Sequence, residues 1–133
     1  MRFASIGSGS RGNGTLVQAG NTLLLVDCGF TQKETELRLL KLGVAPSQLR
    51  AVLVTHEHGD HCNGVRVLAN RYSLPVYMTA GTARSKQLLD VVNVITIDSH
   101  AAFVIDDIEI QPVAVPHDAA EPVQFVFNCA GKR

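Results

Sequence analysis

The chain has 133 residues, with 12 Lys+Arg against 12 Asp+Glu, and 46% of its residues are hydrophobic. At roughly 150 residues per domain it is one domain or part of one, and it is too apolar for disorder. A formal net charge of zero excludes a uniformly basic nucleic-acid-binding surface, though not a local basic patch.

No apolar run approaches the roughly 18 residues of a membrane span. The Gly- and Ser-rich start, residues 1–20, lacks the apolar region of a signal peptide. Cys28, Cys62 and Cys129 are odd in number and form no CxxC pair, so they read as reduced thiols. The expectation is a soluble, cytoplasmic protein with no membrane partner.

In chain order, Arg2–Ile6 reads as a short edge strand, followed by a glycine-rich loop from Gly7 to Gly14 and a strand over Thr15–Gln18. Leu23–Val26 is a continuous apolar run ending at Asp27, the pattern of a strand buried on both faces. Thr31 and Glu34 have capping-box spacing. Leu37, Leu40 and Leu39 offer a helical apolar stripe, and Gly43 is placed to end that helix. Ala51–Thr55 is a second buried-type strand. A helix over Val65–Ala69, ending near Tyr72, a strand over Pro75–Met78, a helix over Thr82–Leu89 and a strand over Val91–Ile97 follow. Phe103–Ile105 and Ile108–Val115 are strands around the Asp106-Asp107 turn, and Val123–Asn128 is the last. Ala130–Arg133 reads as a hairpin turn, which suggests a fragment whose next strand is missing. This order predicts a mixed α/β layer with helices on one face of a sheet and a second sheet on the other.

The chemistry concentrates in one place. His56, His58, Asp60 and His61 fall within six residues, and imidazole and carboxylate are ligands for zinc, manganese and iron. On a helix, residues two apart diverge, so His56 and His58 can converge only in a loop leaving a strand. Sites in open α/β sheets form beyond the carboxyl ends of strands. Asp27, the His56 loop and His117 each follow such an end. His100 reads as a turn residue. Cys62 follows His61 directly and is either a tuning group or, more simply, buried, as are Cys28 and Cys129.

Thr55-His56-Glu57-His58-Gly59-Asp60-His61 resembles the HxHxDH motif of the metallo-β-lactamase superfamily. Ser8 to Asn13, Val26-Asp27-Cys28-Gly29 and Leu74-Pro75-Val76-Tyr77 resemble its YycJ/WalJ subgroup. The resemblance covers the chain but only the N-terminal half of that αββα sandwich, making residues 1–133 a single truncated domain. It implies two divalent metals (Zn or Mn, possibly Fe) in the complete protein. His56, His58 and His117 would bind the first, Asp60 and His61 the second. The bridging carboxylate and a last His would lie past Arg133. Asp60 would also hold the attacking hydroxide, formed because two metals lower the pKa of a bridging water towards ~7. Asp27 and Asn13 are supporting residues, Asp27 by hydrogen bonding to the His loop rather than to metal.

The subgroup resemblance implies a 5′-to-3′ exonuclease acting on DNA or another phosphodiester. The Gly7–Gly14 loop, with Arg11 nearby, offers backbone N–H groups to a phosphate or is a tight turn; it is not a P-loop. The alternatives are a thioester or lactone hydrolase of the same fold, and a non-catalytic fragment that binds metal weakly or pairs with a second copy as a homodimer through its exposed apolar sheet face.

Overall fold

The computed structural model describes residues 1–116 and 118–129. His117 and the Ala130–Arg133 turn therefore lie outside the described residues. Six strands form one sheet in sequence order: β1 (Arg2–Gly7), β2 (Gly14–Ala19), β3 (Thr22–Val26), β4 (Ala51–Leu53), β5 (Val76–Thr79) and β6 (Val94–Ile97). The first three are antiparallel hairpins, and β3 to β6 run parallel. Parallel neighbours need crossover connections. These are supplied by α1 (Gln32–Lys41), by α2 (Gly59–Cys62) with α3 (Val65–Arg71), and by α4 (Ala80–Ala83). A second antiparallel sheet follows, of β7 (Phe103–Ile105), β8 (Ile108–Ala114) and β9 (Val123–Cys129).

Period-two alternation decides which core each residue enters. Leu23 and Leu25 of β3 and Val52 of β4 join the helix-side core with Leu39, Val65, Leu68 and Met78. Leu24, Ala51 and Leu53 point the other way, onto Ile105, Ile108 and Ile110 of the second sheet. Tyr77 stacks on Phe103 across this gap, with ring centroids 5.3 Å apart. The expected second sheet is therefore present, and the described residues build three layers: helices, sheet, sheet. The Asp106-Asp107 turn ties the sheets together, since Thr22 Oγ1 donates to Asp106 Oδ2 at 2.8 Å. No helix among the described residues is long and apolar enough to cross a membrane.

Local signals held at α1, where the Thr31 side chain accepts from Glu34 N–H and Gly43 takes a left-handed φ of 74°. The predicted stripe did not. Leu37 and Leu40 are exposed, and the buried residues are Leu39 and Thr35. Thr35 serves as a core residue because its hydroxyl is satisfied locally, donating to the Thr31 carbonyl at 2.8 Å. The helix predicted over Thr82–Leu89 is instead the single turn α4 and a separate 3-10 turn, Lys86–Leu88. Ser85 breaks them with extended backbone, while Glu121 holds α4 from outside through the Gly81 N–H. The strand after it starts at Val94 rather than Val91, and β4 ends at Leu53 rather than Thr55. His100 lies in an exposed turn, as expected, its N–H donating to Asp98 Oδ1.

Candidate functional site

Three segments meet at the carboxyl ends of β3 and β4: the glycine-rich loop, Asp27–Gly29, and the motif loop. Leaving β3, Asp27 turns into the left-handed region, with φ 63°. Its N–H donates to Leu53 O at 2.7 Å. Cys28 N–H donates to His61 O and Gly29 N–H to Asn13 O. Gly29 has to be small here, since a Cβ would lie 2.0 Å from the Asp60 carbonyl oxygen.

Buried Asp27 is the hub. Its Oδ1 accepts the Thr55 backbone N–H at 2.8 Å. Its Oδ2 accepts the Thr55 hydroxyl and His61 Nδ1–H, both at 2.7 Å. The Thr55 hydroxyl has a single proton, which goes to Asp27. Its oxygen must then accept from His56 Nδ1, 2.8 Å away. In their neutral form both His56 and His61 are thereby set in the Nδ1–H tautomer, with the lone pair on Nε2, as a carboxylate behind a metal-binding imidazole does. The bond to Asp27 raises the His61 pKa above its ordinary value, against the opposing effect of burial.

His58 caps α2 in extended conformation, so Asp60 and His61 sit on its first turn while His56 and His58 lie in the loop before it. The helix thus opens at Gly59. The His56 ring lies 4.2 Å from that of His61 and 4.7 Å from that of His58. Asp60 Oδ2 is 3.6 Å from His61 Nε2 and accepts Asn13 Nδ2–H at 3.0 Å. Asn13, Asp27, Thr55, His56 and His61 line a cavity of about 350 Å³.

The donors fit a divalent cation in kind: neutral imidazoles presented through Nε2, and a carboxylate beside one of them. They do not form a finished cage, because among the described residues no three His, Cys, Asp or Glu side chains converge on one point. His58 Nε2 instead meets the Asp118 carbonyl. His117 lies outside the described residues.

Two contributions were not legible in the sequence. The sequence marks Thr55 only as a strand end, yet it relays Asp27 to His56. Glu57, an unassigned motif position, accepts Ala120 N–H through Oε2 at 2.9 Å and so ties the β8–β9 connection to the motif loop. Cys62 is buried and its thiol, donating to Glu57 O, is pushed up to about 12 by burial and by Asp27, Glu57 and Asp60. Burial likewise raises Cys28. Both stay protonated thiols, while Cys129 is half-buried.

The profile of the metallo-beta-lactamase superfamily matches residues 7–126, and the chain belongs to that superfamily. It is 36% identical to exodeoxyribonuclease YycJ of Bacillus anthracis over 96% of this chain and 50% of that protein. It is 30% identical to exodeoxyribonuclease WalJ of Streptococcus pneumoniae over 96% and 49%. Among solved structures, Rm3 metallo-beta-lactamase superposes with a TM-score of 0.80 at 17% identity, covering 98% of this chain and 55% of that one. A B3 metallo-beta-lactamase with an active-site glutamic acid gives 0.78 at 22% identity, covering 98% and 56%. The fold is the metallo-β-lactamase fold. The chain spans about half the length of these two curated relatives.

Proposed function

We propose that this chain carries the metal-binding half of a phosphodiester hydrolase that degrades DNA from 5′ ends. The observation behind this reading is the Asp27 network, which presents Nε2 of both His56 and His61 as a lone pair. Family membership and the exodeoxyribonuclease names of two relatives support the substrate class. In this reading His56, His58 and His117 hold one divalent metal (zinc, manganese or iron), and Asp60 and His61 contribute to a second. Such metals supply Lewis acidity, polarising the phosphoryl oxygen and making water acidic enough to attack near neutral pH.

The chain's own residues prepare that chemistry. Asp27 fixes the direction of His61 directly and of His56 through the Thr55 hydroxyl. Asn13 Nδ2–H holds Asp60 by Oδ2, which leaves Oδ1 to take a proton from the attacking water.

The test is digestion of 5′-phosphorylated duplex DNA in zinc, manganese or iron(II), by this chain and by its longest native form. Asp60→Asn is expected to keep the fold and lose nearly all turnover, and His58→Ala to lose metal. Absence of DNA turnover with every metal, beside turnover of a thioester, would replace this reading.

A further inference from the structure

The Gly7–Gly14 loop separates two cavities. Gly7 and Ser8 line the cavity of the His site on one side. On the other they line a cleft of about 370 Å³ whose wall includes Phe30, Arg11 and Arg38. The proposed hydrolysis uses only the first.

The loop is built rather than slack. Gly9 N–H donates to Asn13 Oδ1 at 3.1 Å, and Asn13 Nδ2–H returns to Gly9 O at 2.8 Å. The same amide holds Asp60, so one side chain sets the loop in register with the site. The loop also lies against the Phe30 ring, which a Cβ at Gly12 would meet at 2.5 Å.

The cleft is rich in donors. The backbone N–H groups of Ser8, Ser10 and Arg11 donate to no acceptor among the described residues. The Arg38 guanidinium sits 4.1 Å over the Phe30 ring, gives Nε–H to Glu34 Oε2 and Nη1–H to Ile6 O. That leaves Nη2 for a ligand. Arg11 is exposed and forms no ion pair among the described residues. Two guanidinium groups against the one Glu34 carboxylate leave a net positive charge beside the loop's N–H groups. Successive N–H groups with guanidinium planes are the donor set that a tetrahedral phosphate takes.

We propose that this cleft is a second phosphate site, which holds the backbone of a nucleic-acid strand one loop away from the phosphodiester at the His site. Arg11 and Arg38 act as positioning residues for that strand. The proposal rests on the hydrolase reading for its choice of strand, but its test needs no hydrolysis.

The experiment is fluorescence anisotropy in EDTA with a short 3′-labelled single-stranded DNA carrying a 5′-phosphate, titrated at several salt concentrations. Arg11→Ala removes an exposed, unpaired side chain and should fold normally. It should weaken binding roughly ten-fold and reduce the log–log salt slope by about 0.7, the release expected for one phosphate contact on a single strand. Arg38→Gln should weaken binding too. Arg2→Ala removes the same charge at the far end of β1, where it pairs with Gln18, and should bind as the parent does.

Equal affinity and slope for Arg11→Ala and Arg2→Ala would overturn the proposal, as would no DNA binding by the parent chain. Sodium phosphate supplies the other arm. If it binds in an Arg11-dependent way as tightly as the oligonucleotide, the cleft serves a free anion and the strand assignment fails. Arg11-dependent binding without cleavage of DNA under any metal by the longest native form would instead sink the hydrolase reading.

Discussion

Asp27→Asn isolates what the buried carboxylate does. Asparagine tolerates the left-handed backbone at this position, so the fold loses no support there. Its Oδ1 can still accept the Thr55 N–H. The amide nitrogen, however, replaces the oxygen that accepts the Thr55 hydroxyl and His61 Nδ1–H, each at 2.7 Å. Two donors then face a donor. The conflict is relieved only if the Thr55 hydroxyl reverses and His61 moves its proton to Nε2. Hydrogen bonds to a charged group contribute about 1.5–3 kcal/mol each and neutral ones about 0.5–1.5. Exchanging two of the first kind for two of the second costs about 2–3 kcal/mol. The reversed hydroxyl must donate to His56 Nδ1, which moves that proton to Nε2 as well. Metal affinity should fall roughly 10- to 100-fold, the usual loss when the group behind a ligand is changed. Denaturant unfolding of the metal-free chain reads the stability, and nitrogen NMR of the imidazoles, above the raised pKa of His61, reads the tautomers. If His61 keeps its Nδ1 proton and stability moves by less than about 0.5 kcal/mol, within the range of an ordinary surface change, the hub assignment is wrong.

Three further outcomes are expected. Leu39→Ala should cost about 2–5 kcal/mol as a core truncation, whereas Leu40→Ala, at 68% exposed, should cost no more than about 0.5 kcal/mol; denaturation midpoints of the two variants check this. Gly29→Ala puts a Cβ against the Asp60 backbone, which cannot step aside as a side chain would; a lowered melting temperature together with weakened metal binding is expected, and a parent-like variant would contradict the packing. The Tyr72 hydroxyl bonds Glu36 and, with Gln32, holds its carboxyl below the usual 4.5. A lowered folded pKa means this contribution is present above 4.5 and lost as pH falls through the lowered value. Tyr72→Phe should therefore flatten the acid limb of the melting-temperature profile.

The sequence by itself determined the layer order, the buried strands and where the His-rich loop falls. Those signals are local: apolar runs, caps, and four donor residues packed into six positions behind a strand. The fold class follows from them because parallel buried strands demand crossover helices, and a sheet apolar on both faces demands a second layer. It was misleading where the decisive partner is remote. Leu39 rather than Leu40 is buried because the sheet lies on the Thr35 face of α1. The helix over Thr82–Leu89 broke because Ser85 interrupts it and Glu121, some 40 residues on, grips its first turn.

The site divides the same way. Nothing in the spacing says that Thr55 carries Asp27's influence to His56, that Asn13 joins the glycine-rich loop to Asp60, or that Arg11 and Arg38 flank one cleft. Hydrogen bonds between residues 28 and 47 positions apart exist only once β3, β4 and the loops are brought side by side. Tertiary structure alone decides them, because direction, and not composition, selects which lone pair and which donor face the cavity.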